Sequence, residues 1–228
     1  MTTRRPYPSD RSDARWELIE PVLAAWRFER RGRALDFGRP PRHDLREIMN
    51  AILYVDRTGC QWAYLPHDFP PHQSVYGYFA RWADEGVFAQ LNGLLRQLLR
   101  EKEGRNAEPS ACVIDAQRVK TSTSVPAASQ GIDAGKKTAG RKRSIATDTL
   151  DLLLAVLVTA ASVQDSVERT YGWLMLHRRL ARDYETLPTR SEGVIHIAMT
   201  DLMARRLTGE NTISWHDPTH QTKRLITG

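Results

Sequence analysis

The sequence predicts an α/β (α+β) protein with a helical amino-terminal half and a smaller, strand-rich second half. Up to Gly104, apolar residues recur at helical spacing between residues that begin or end helices. From residue 109 onward they follow strand spacing instead, with short apolar runs at 111–114 and 152–158. We therefore expect a helical domain over residues 1–105 and a sheet from residue 109 onward.

Each predicted helix of the first half is bounded by a residue that favours a helix end. Ser12, Asp44 and Ser74 are predicted N-caps, and Gly59 is a predicted stop. Residues 27–43 are rich in Arg, Gly and Pro, which predicts a basic loop after the first helix. The predicted helices span residues 9–26, 44–59, 74–86 and 87–104, with a short helical turn at 60–66.

The order helix, turn with Gly59, short helix, break and helix is typical of a helix-turn-helix DNA reader. In that interpretation the helix at 74–86 faces DNA with Tyr76, Tyr78, Arg81 and Trp82. An ordinary helical bundle has the same helix boundaries, and Tyr78 and Trp82 would then be core residues. The sequence leaves both interpretations open.

The second half begins with a short buried strand at 111–114 that ends at Asp115. An edge strand is predicted at 117–121, and residues 144–161 are predicted to form two strands joined by a turn at 148–151. Between these strands lies a run without an acid, residues 135–143, which predicts a basic loop that follows the backbone of DNA. Its charged residues are Lys136, Lys137, Arg141, Lys142 and Arg143.

Two acids flank this basic run. Asp115 ends the first strand, and Glu168 opens a helix predicted at 167–174. An acid at a strand end, a basic loop and an acid on a helix are typical of two-metal phosphoryl-transfer sites, and carboxylate oxygens are ligands that Mg²⁺ prefers. Arg179 falls near the same helix face and could bind a phosphate. Without further information, Glu168 could equally be an ordinary helix-capping acid.

Composition limits the partners and the compartment. The chain has 228 residues, a net charge of +6 and a pI near 9.5, which favours an anionic partner. Cys60 and Cys112 lie in no CxxC pair, which indicates reduced thiols. The amino terminus has no apolar signal sequence, and the run 152–161 is about half of the roughly 20 residues that span a membrane. We expect a cytoplasmic protein with no membrane contact.

Segments with a recognisable order run through most of the chain. They are DLREIMNAILYVDRTGCQW, LPHDFPPHQSVYGYFARW, VIDAQRVKT, DAGKKTAGRKR, VERTYGWL, RRLARDYETLP and SEGVIHIAMTDLMARRL. In these segments the chain resembles insertion-sequence transposases of the DDE type, specifically the IS-five family, over roughly residues 7–208. The resemblance implies a helical DNA-binding region, followed by a ribonuclease H-like core that cleaves and transfers DNA ends with Mg²⁺, for which Mn²⁺ could substitute. Asp115 would be the first acid of the catalytic triad and Glu168 the last.

The chain departs from this family where the middle acid of the triad should be. A long segment normally separates the VQD and VERT motifs, but here VQDS runs directly into VERT. This indicates an internally deleted copy, in which Asp165 is the nearest substitute acid. The expected regions are 1–105 for DNA binding, 109–165 for the first part of the core, 166–208 for its helical part, and 209–228 for an unrelated, disordered tail.

The sequence therefore predicts a transposase that acts in DNA transposition on the double-stranded ends of an insertion element. We expect a homo-oligomer that is associated with the bacterial nucleoid, and impaired cleavage because the middle acid is missing. An alternative is a catalytically dead DNA-binding protein, or an inhibitor derived from a transposase. A third is a pseudogene product that does not fold stably.

Overall fold

A layer of helices packs against one antiparallel sheet. The computed structural model describes residues 4–31, 42–123, 125–132, 139–163 and 177–211. Short 3₁₀ turns lie at Trp62–Tyr64, Ala127–Ser129 and Arg178–Ala181. The helices are α1 (Asp13–Glu17), α2 (Glu20–Arg31), α3 (Leu45–Thr58), α4 (His72–Asp84), α5 (Val87–Lys102) and α6 (Pro188–Thr208). The strands are β1 (Val113–Val119), β2 (Gly131–Ile132), β3 (Ala139–Thr147) and β4 (Leu153–Ala160).

The first predicted helix is two helices. Ser12 caps α1 as predicted, with its hydroxyl accepting the backbone N–H of Arg15. The chain then turns before α2, which places Pro21 in the first helical turn, where its missing N–H has no helical partner to lose. Because α2 continues to Arg31, the predicted basic loop at 27–43 is wrong for residues 27–31. Residues 32–41 lie outside the described part of the chain.

Helix α3 has the predicted ends. The Asp44 side chain accepts the Arg46 N–H at 2.8 Å, and Gly59 ends the helix in the left-handed conformation with φ 71°. Its predicted apolar stripe is buried, and it comprises Ile48, Ala51, Ile52 and Val55.

The predicted N-cap at Ser74 is wrong. Helix α4 begins at His72, and the carbonyl of Pro71 accepts the N–H groups of Ser74 and Val75. The pattern at Ser74 resembled a cap, but the proline before the helix supplies the first acceptor. The N-cap therefore lies three residues earlier than the sequence indicated, at Pro71.

Strand β3 lies between β1 and β4 and pairs antiparallel with both. Strand β1 is continuous, so the predicted division into 111–114 and 117–121 is wrong. Asp115 is its third residue, opposite Ile145, and not its end. Val113 and Ile114 are 46% and 47% exposed, although a buried strand was predicted.

The predicted basic loop at 135–143 is wrong from Ala139 onward, where β3 begins. Gly140 lets the start of β3 approach the end of β1 closely, because a Cβ at this position would lie 2.1 Å from the carbonyl oxygen of Val119. The predicted loop 135–143 therefore includes the first residues of β3, and its residues 135–138 lie outside the described part of the chain.

The hairpin turn at 148–151 is confirmed between β3 and β4. The buried carboxylate of Asp148 accepts the N–H groups of Leu150 and Leu152, both at 2.9 Å. Asp151 has φ 61°, which an L side chain adopts at a cost.

Helices and sheet share one hydrophobic core. Helix α6 packs against α5, α4 and β4, and Gly193 on α6 lets the side chains of Ala83 and Phe88 approach closely. The buried apolar cluster includes residues of every helix and of β3 and β4. The domain boundaries at 105, 165 and 208 stay predictions. Among the described helices, none is both long and apolar enough to cross a membrane.

The opposite face of the sheet is partly exposed to solvent. Leu157 is 58% exposed and Ile114 is 47% exposed, on adjacent parts of that face. The outer edge of β4 is partly covered, since the Glu192 carboxylate accepts the Val158 N–H at 2.8 Å. Burial raises the pKa of this carboxyl group, while the hydrogen bond from Val158 opposes that shift.

Replacing Asp151 with Gly is expected to stabilise the protein by about 1 kcal/mol or less. Relief of the left-handed backbone, worth about 1–2 kcal/mol, exceeds the roughly 0.4–1 kcal/mol lost because glycine gives the unfolded chain more freedom. Urea unfolding monitored by circular dichroism measures the difference. Thr149→Gly is the matched control in the same turn, and it should lower stability because it only adds freedom to the unfolded chain. A lower stability for Asp151→Gly than for the unsubstituted protein would contradict the backbone argument.

Candidate active site

Asp115 is the one predicted catalytic acid whose surroundings the structure describes. It lies inside β1, opposite Ile145, with 3% of its surface exposed. Its Oδ2 atom is buried and has no hydrogen-bond partner among the described residues. A buried carboxylate oxygen without a partner is costly, and a cation would compensate it. Asp115 therefore fits the role of one oxygen ligand for a hard divalent cation such as Mg²⁺.

Glu168 and Asp165 fall in residues 164–176, outside the described part of the chain. Within the part that is described, no group of three or more His, Cys, Asp or Glu side chains is arranged to hold a metal ion. Asp115 is thus a single candidate ligand, and the contribution of Glu168 and Asp165 stays a prediction.

Arg141 is buried in β3 and binds the loop before α6. Its guanidinium donates to the carbonyl oxygens of Glu185 at 2.7 Å and Thr186 at 2.8 Å. It also forms an ion pair with Asp183 at 3.4 Å, and none of its surface is exposed. This arginine therefore connects the central strand to the segment that leads into α6.

Lys142 and Arg143 are buried as well, at 2% and 3% exposure. Lys142 donates to the carbonyl oxygen of Val163, and Arg143 donates to that of Leu180 at 2.7 Å. The prediction that these residues follow a DNA backbone in a loop is corrected here, because their charged groups lie inside the fold. Lys136 and Lys137 lie outside the described residues, and their role stays a prediction.

Arg179 is also committed to contacts within the protein. It forms an ion pair with Glu185 at 2.7 Å and donates to the Cys60 carbonyl oxygen at 3.0 Å. Its guanidinium lies 5.0 Å from the ring centre of Tyr184 and 5.7 Å from that of Trp62. The expected phosphate contact would require Arg179 to leave these partners.

The aromatic residues of α4 divide between the two interpretations of this helix. Trp82 is fully buried, as the helical-bundle interpretation requires. Tyr78 is partly buried, 5.5 Å from the Trp82 ring and 5.9 Å from the Trp26 ring. Tyr76 is partly buried, 5.3 Å from the ring of Trp62, whereas Arg81 is exposed. Arg81 therefore remains the accessible member of the predicted DNA-facing set.

A further basic cluster joins α2 to the start of α3. Arg27 donates to the carbonyl oxygen of His43 at 2.8 Å, and Arg42 is exposed beside it. Partial burial lowers the pKa of His43, and the positive charges of Arg42 and Arg27 lower it further. The sequence predicts a basic loop here, inside the region expected to bind DNA, but it does not single out these three residues as DNA contacts. The contact between Arg27 of α2 and the residues just before α3 became apparent only in the structure.

Comparison with protein families gives two matches on successive parts of the chain. Residues 12–92 match a family described as a putative transposase of the IS4/5 family, and residues 106–177 match the transposase DDE domain. The two matches support an IS4/5-family DDE transposase. The comparison with curated proteins gave no match, and neither did the comparison with solved structures.

The boundaries of the two transposase matches agree with the change from helices to sheet. The IS4/5 match ends inside α5, and the DDE match contains β1, β2, β3 and β4. A transposase DDE domain implies a ribonuclease H-like fold, and the mixture of helices with an antiparallel sheet fits the predicted α+β class. Asp115 and Glu168 both lie inside the DDE match.

Proposed function

We propose that the chain is an IS-five transposase in internally deleted form, which binds the ends of its insertion element and cleaves them poorly. The observation that carries this proposal is the buried Oδ2 atom of Asp115, which has no described partner and lies within the match to the DDE domain. A carboxylate held in this way on a strand suits metal-assisted phosphoryl transfer in DNA cleavage and strand transfer.

In this proposal Asp115 and Glu168 hold Mg²⁺, with Mn²⁺ as a substitute. The bound cation would stabilise the negative charge that develops on the phosphodiester oxygens. The role of Asp115 is to present a fixed oxygen ligand from a strand that pairs along its whole length with β3. Glu168 would supply the second carboxylate. Asp165 would have to replace the middle acid, which VQDS running into VERT leaves out.

A catalytically dead DNA-binding protein, or an inhibitor of the full-length enzyme, is the second candidate. One observation favours it: VQDS runs directly into VERT, so the segment expected to carry the middle acid is missing. Two-metal chemistry requires ligands for two ions about 4 Å apart. A protein with Asp115 and Glu168 alone would retain DNA binding and lose most of its cleavage activity.

We propose that duplex DNA contacts Lys136, Lys137, Arg81 and Tyr76, together with the cluster of Arg27, Arg42 and His43. The net charge of +6 supports an anionic partner. The exposure of Arg81 and Arg42 supports a surface contact, and a helix-turn-helix reader remains one form that this contact could take. Arg141, Lys142 and Arg143 are left out because their charged groups bind backbone carbonyl oxygens inside the fold.

We also propose a homo-oligomer that acts on the nucleoid in the cytoplasm. The exposed apolar side chains of Ile114 and Leu157 support self-association, because a second copy could cover them.

The DNA interface predicts a steep dependence of affinity on salt. Each phosphate that a basic side chain neutralises contributes about −0.9 to the slope of log affinity against log salt concentration. The double variant Lys136→Ala/Lys137→Ala should therefore reduce the slope by about 1.8 units, and Arg81→Ala by about 0.9 units, if each residue makes one contact. Fluorescence anisotropy with labelled duplex DNA at several salt concentrations measures these slopes.

Arg206→Ala is the matched control, since Arg206 is exposed but contacts the carbonyl oxygen of Leu150 at 3.2 Å. Its slope should remain that of the unsubstituted protein. Unchanged slopes for the Lys136/Lys137 and Arg81 variants, in folded protein, would remove these residues from the interface. Absence of duplex binding at low salt would overturn the proposed function in both of its forms.

A further inference from the structure

Arg11 is a buried cation whose side chain has no partner. Only 3% of its surface is exposed, yet its Nε, Nη1 and Nη2 atoms all lack hydrogen bonds within the described chain. Its backbone groups are satisfied separately, by the side chains of Asn50 and Arg46. Buried guanidinium groups are normally paired and hydrogen-bonded, so the side chain of Arg11 requires a specific explanation.

The nearby carboxylates are already occupied by other arginines. Asp201 accepts from Arg15 at 3.1 Å through Oδ1 and from Arg205 at 3.0 Å through Oδ2. Glu210 is bound by Arg15 at 2.9 Å and by the hydroxyl group of Ser12. Neither acid has an oxygen that pairs with Arg11.

Positive charge exceeds negative charge around this position. The charges of Arg15, Arg205, Asp201 and Glu210 all act on the guanidinium of Arg11. Arg57 belongs to the same group, because its pKa responds to Asp201, Arg205 and Arg15. Asp56 also acts on Arg57, but its Oδ2 atom contacts His177. Four guanidinium groups therefore lie near three carboxylates, and the Nη2 atom of Arg205 also has no partner in the described structure.

Deprotonation does not remove this excess. Burial lowers the pKa of Arg11 to about 10, which leaves the guanidinium charged at neutral pH. A charged group in this environment is compensated best by an anion that accepts several hydrogen bonds. Tetrahedral oxyanions offer such acceptors to planar guanidinium donors.

We propose that Arg11 and Arg205 form a binding site for a small oxyanion, with inorganic phosphate as the representative ligand. The site lies where the start of α1 meets the end of α6, apart from the strand that carries Asp115. The ligand joins these chain segments, which are distant in sequence, and it supplies the counter-charge that Asp201 and Glu210 do not provide. This site is independent of the proposed DNA cleavage.

The experiment uses the full-length chain and three variants. Arg11→Met removes the charge and keeps a long side chain, and Arg11→Lys keeps the charge but loses the planar donor group. Arg206→Met is the matched control, an exposed arginine beside Arg205 on the same helix. Thermal unfolding is followed while phosphate replaces chloride at constant ionic strength, and calorimetry measures phosphate binding directly.

The midpoint of unfolding should rise with phosphate for the unsubstituted protein and for Arg206→Met, because a ligand that binds the folded state stabilises it. Arg11→Met should show no such rise, and its phosphate affinity should fall by about tenfold or more, as expected for a lost charge-assisted hydrogen-bonding group. Arg11→Lys should retain part of the response. Without phosphate, Arg11→Met should be at least as stable as the unsubstituted protein, because an uncompensated charge has been removed.

Two results would overturn the proposal: an equal phosphate response in Arg11→Met, or no response in the unsubstituted protein. A less stable Arg11→Met in phosphate-free buffer would also overturn it, since Arg11 would then have a partner within the chain. Asp217→Asn distinguishes a carboxylate of residues 212–228 from a free anion. An unchanged phosphate response in that variant supports the free oxyanion, and an increased response would assign the site to the carboxylate of Asp217.

Discussion

In the presence of Mg²⁺, the purified chain is expected to bind duplex DNA from the ends of its element without detectable cleavage. The physical reason is the number of carboxylates. Asp115 and Glu168 can hold one ion weakly, but a pair of ions at a fixed separation requires a further ligand. A radiolabelled substrate with the element's ends, incubated with Mg²⁺ or Mn²⁺ and resolved on a denaturing gel, measures cleavage and strand transfer.

The decisive comparison restores the missing segment from a full-length relative between the VQDS and VERT motifs. The restored protein should cleave, and Asp115→Ala or Glu168→Ala should abolish that activity while leaving DNA affinity within about twofold, as expected for residues that act on the transition state. Asp115→Asn is the sharper variant, because it keeps the shape of the side chain and removes only the charge that a cation requires.

Robust cleavage by the deleted chain itself would contradict this expectation. Asp165→Ala would then be the next variant, because Asp165 is the acid closest in sequence to Glu168. Loss of activity in Asp165→Ala would assign it the role of the missing acid. Restored cleavage that survives Asp115→Ala would instead show that the unpartnered oxygen of Asp115 has another role.

The features that the sequence predicted correctly depend on neighbouring residues. Ser12 and Asp44 cap helices through N–H groups that lie two or three positions away. Gly59 ends α3 because it adopts a left-handed backbone conformation. The turn at 148–151 depends on Asp148, whose carboxylate accepts the N–H groups of Leu150 and Leu152. Local chemistry determines each of these features, and local sequence therefore reveals them.

The features that were missed depend on residues far away in sequence. The run from Arg141 to Arg143 reads as a basic surface, because its partners come from another part of the chain. Arg141 is neutralised by Asp183, which lies 42 positions later. Arg143 binds the carbonyl oxygen of Leu180, 37 positions later. A count of charges along the sequence does not reveal such pairing. Three residues of the predicted DNA contact, Arg141, Lys142 and Arg143, therefore bind groups inside the protein instead.

The candidate acids show the same limit. Asp115 was predicted to end the first strand, but it lies inside β1, because the strand continues in pairing with β3. That pairing continues without a break from Asp115 to Val119, although the sequence predicted two strands separated at residues 115–116. Burial of Asp115 without a partner could not be predicted either, because it depends on contacts with residues that are distant in sequence, such as Ile145 opposite it on β3.

Replacement of Asp148 with Ala is expected to destabilise the fold by about 3–5 kcal/mol, the cost of leaving a buried ion pair without one partner. Asp148 is 1% exposed and forms an ion pair with Arg100 of α5, which is also buried. It links the β3–β4 hairpin to the helical layer, and it accepts two backbone N–H groups of the turn. Since domains are stable by only about 5–15 kcal/mol, this loss would bring the protein close to unfolding.

A series of variants separates the two roles of Asp148. Asp148→Asn keeps an oxygen acceptor for the turn and loses the charge opposite Arg100, so it should cost less than Asp148→Ala. Adding Arg100→Met to Asp148→Asn removes the unpaired buried cation and should recover part of the loss, and the double-mutant cycle gives the coupling energy.

Asp13→Ala is the control, because the carboxylate of Asp13 is 83% exposed in its ion pair with Arg46, and such pairs contribute about 0–1 kcal/mol. Urea unfolding measures all of these differences. If Asp148→Ala were no more destabilising than Asp13→Ala, the charged contact between Asp148 and Arg100 would contribute nothing to the stability of the fold.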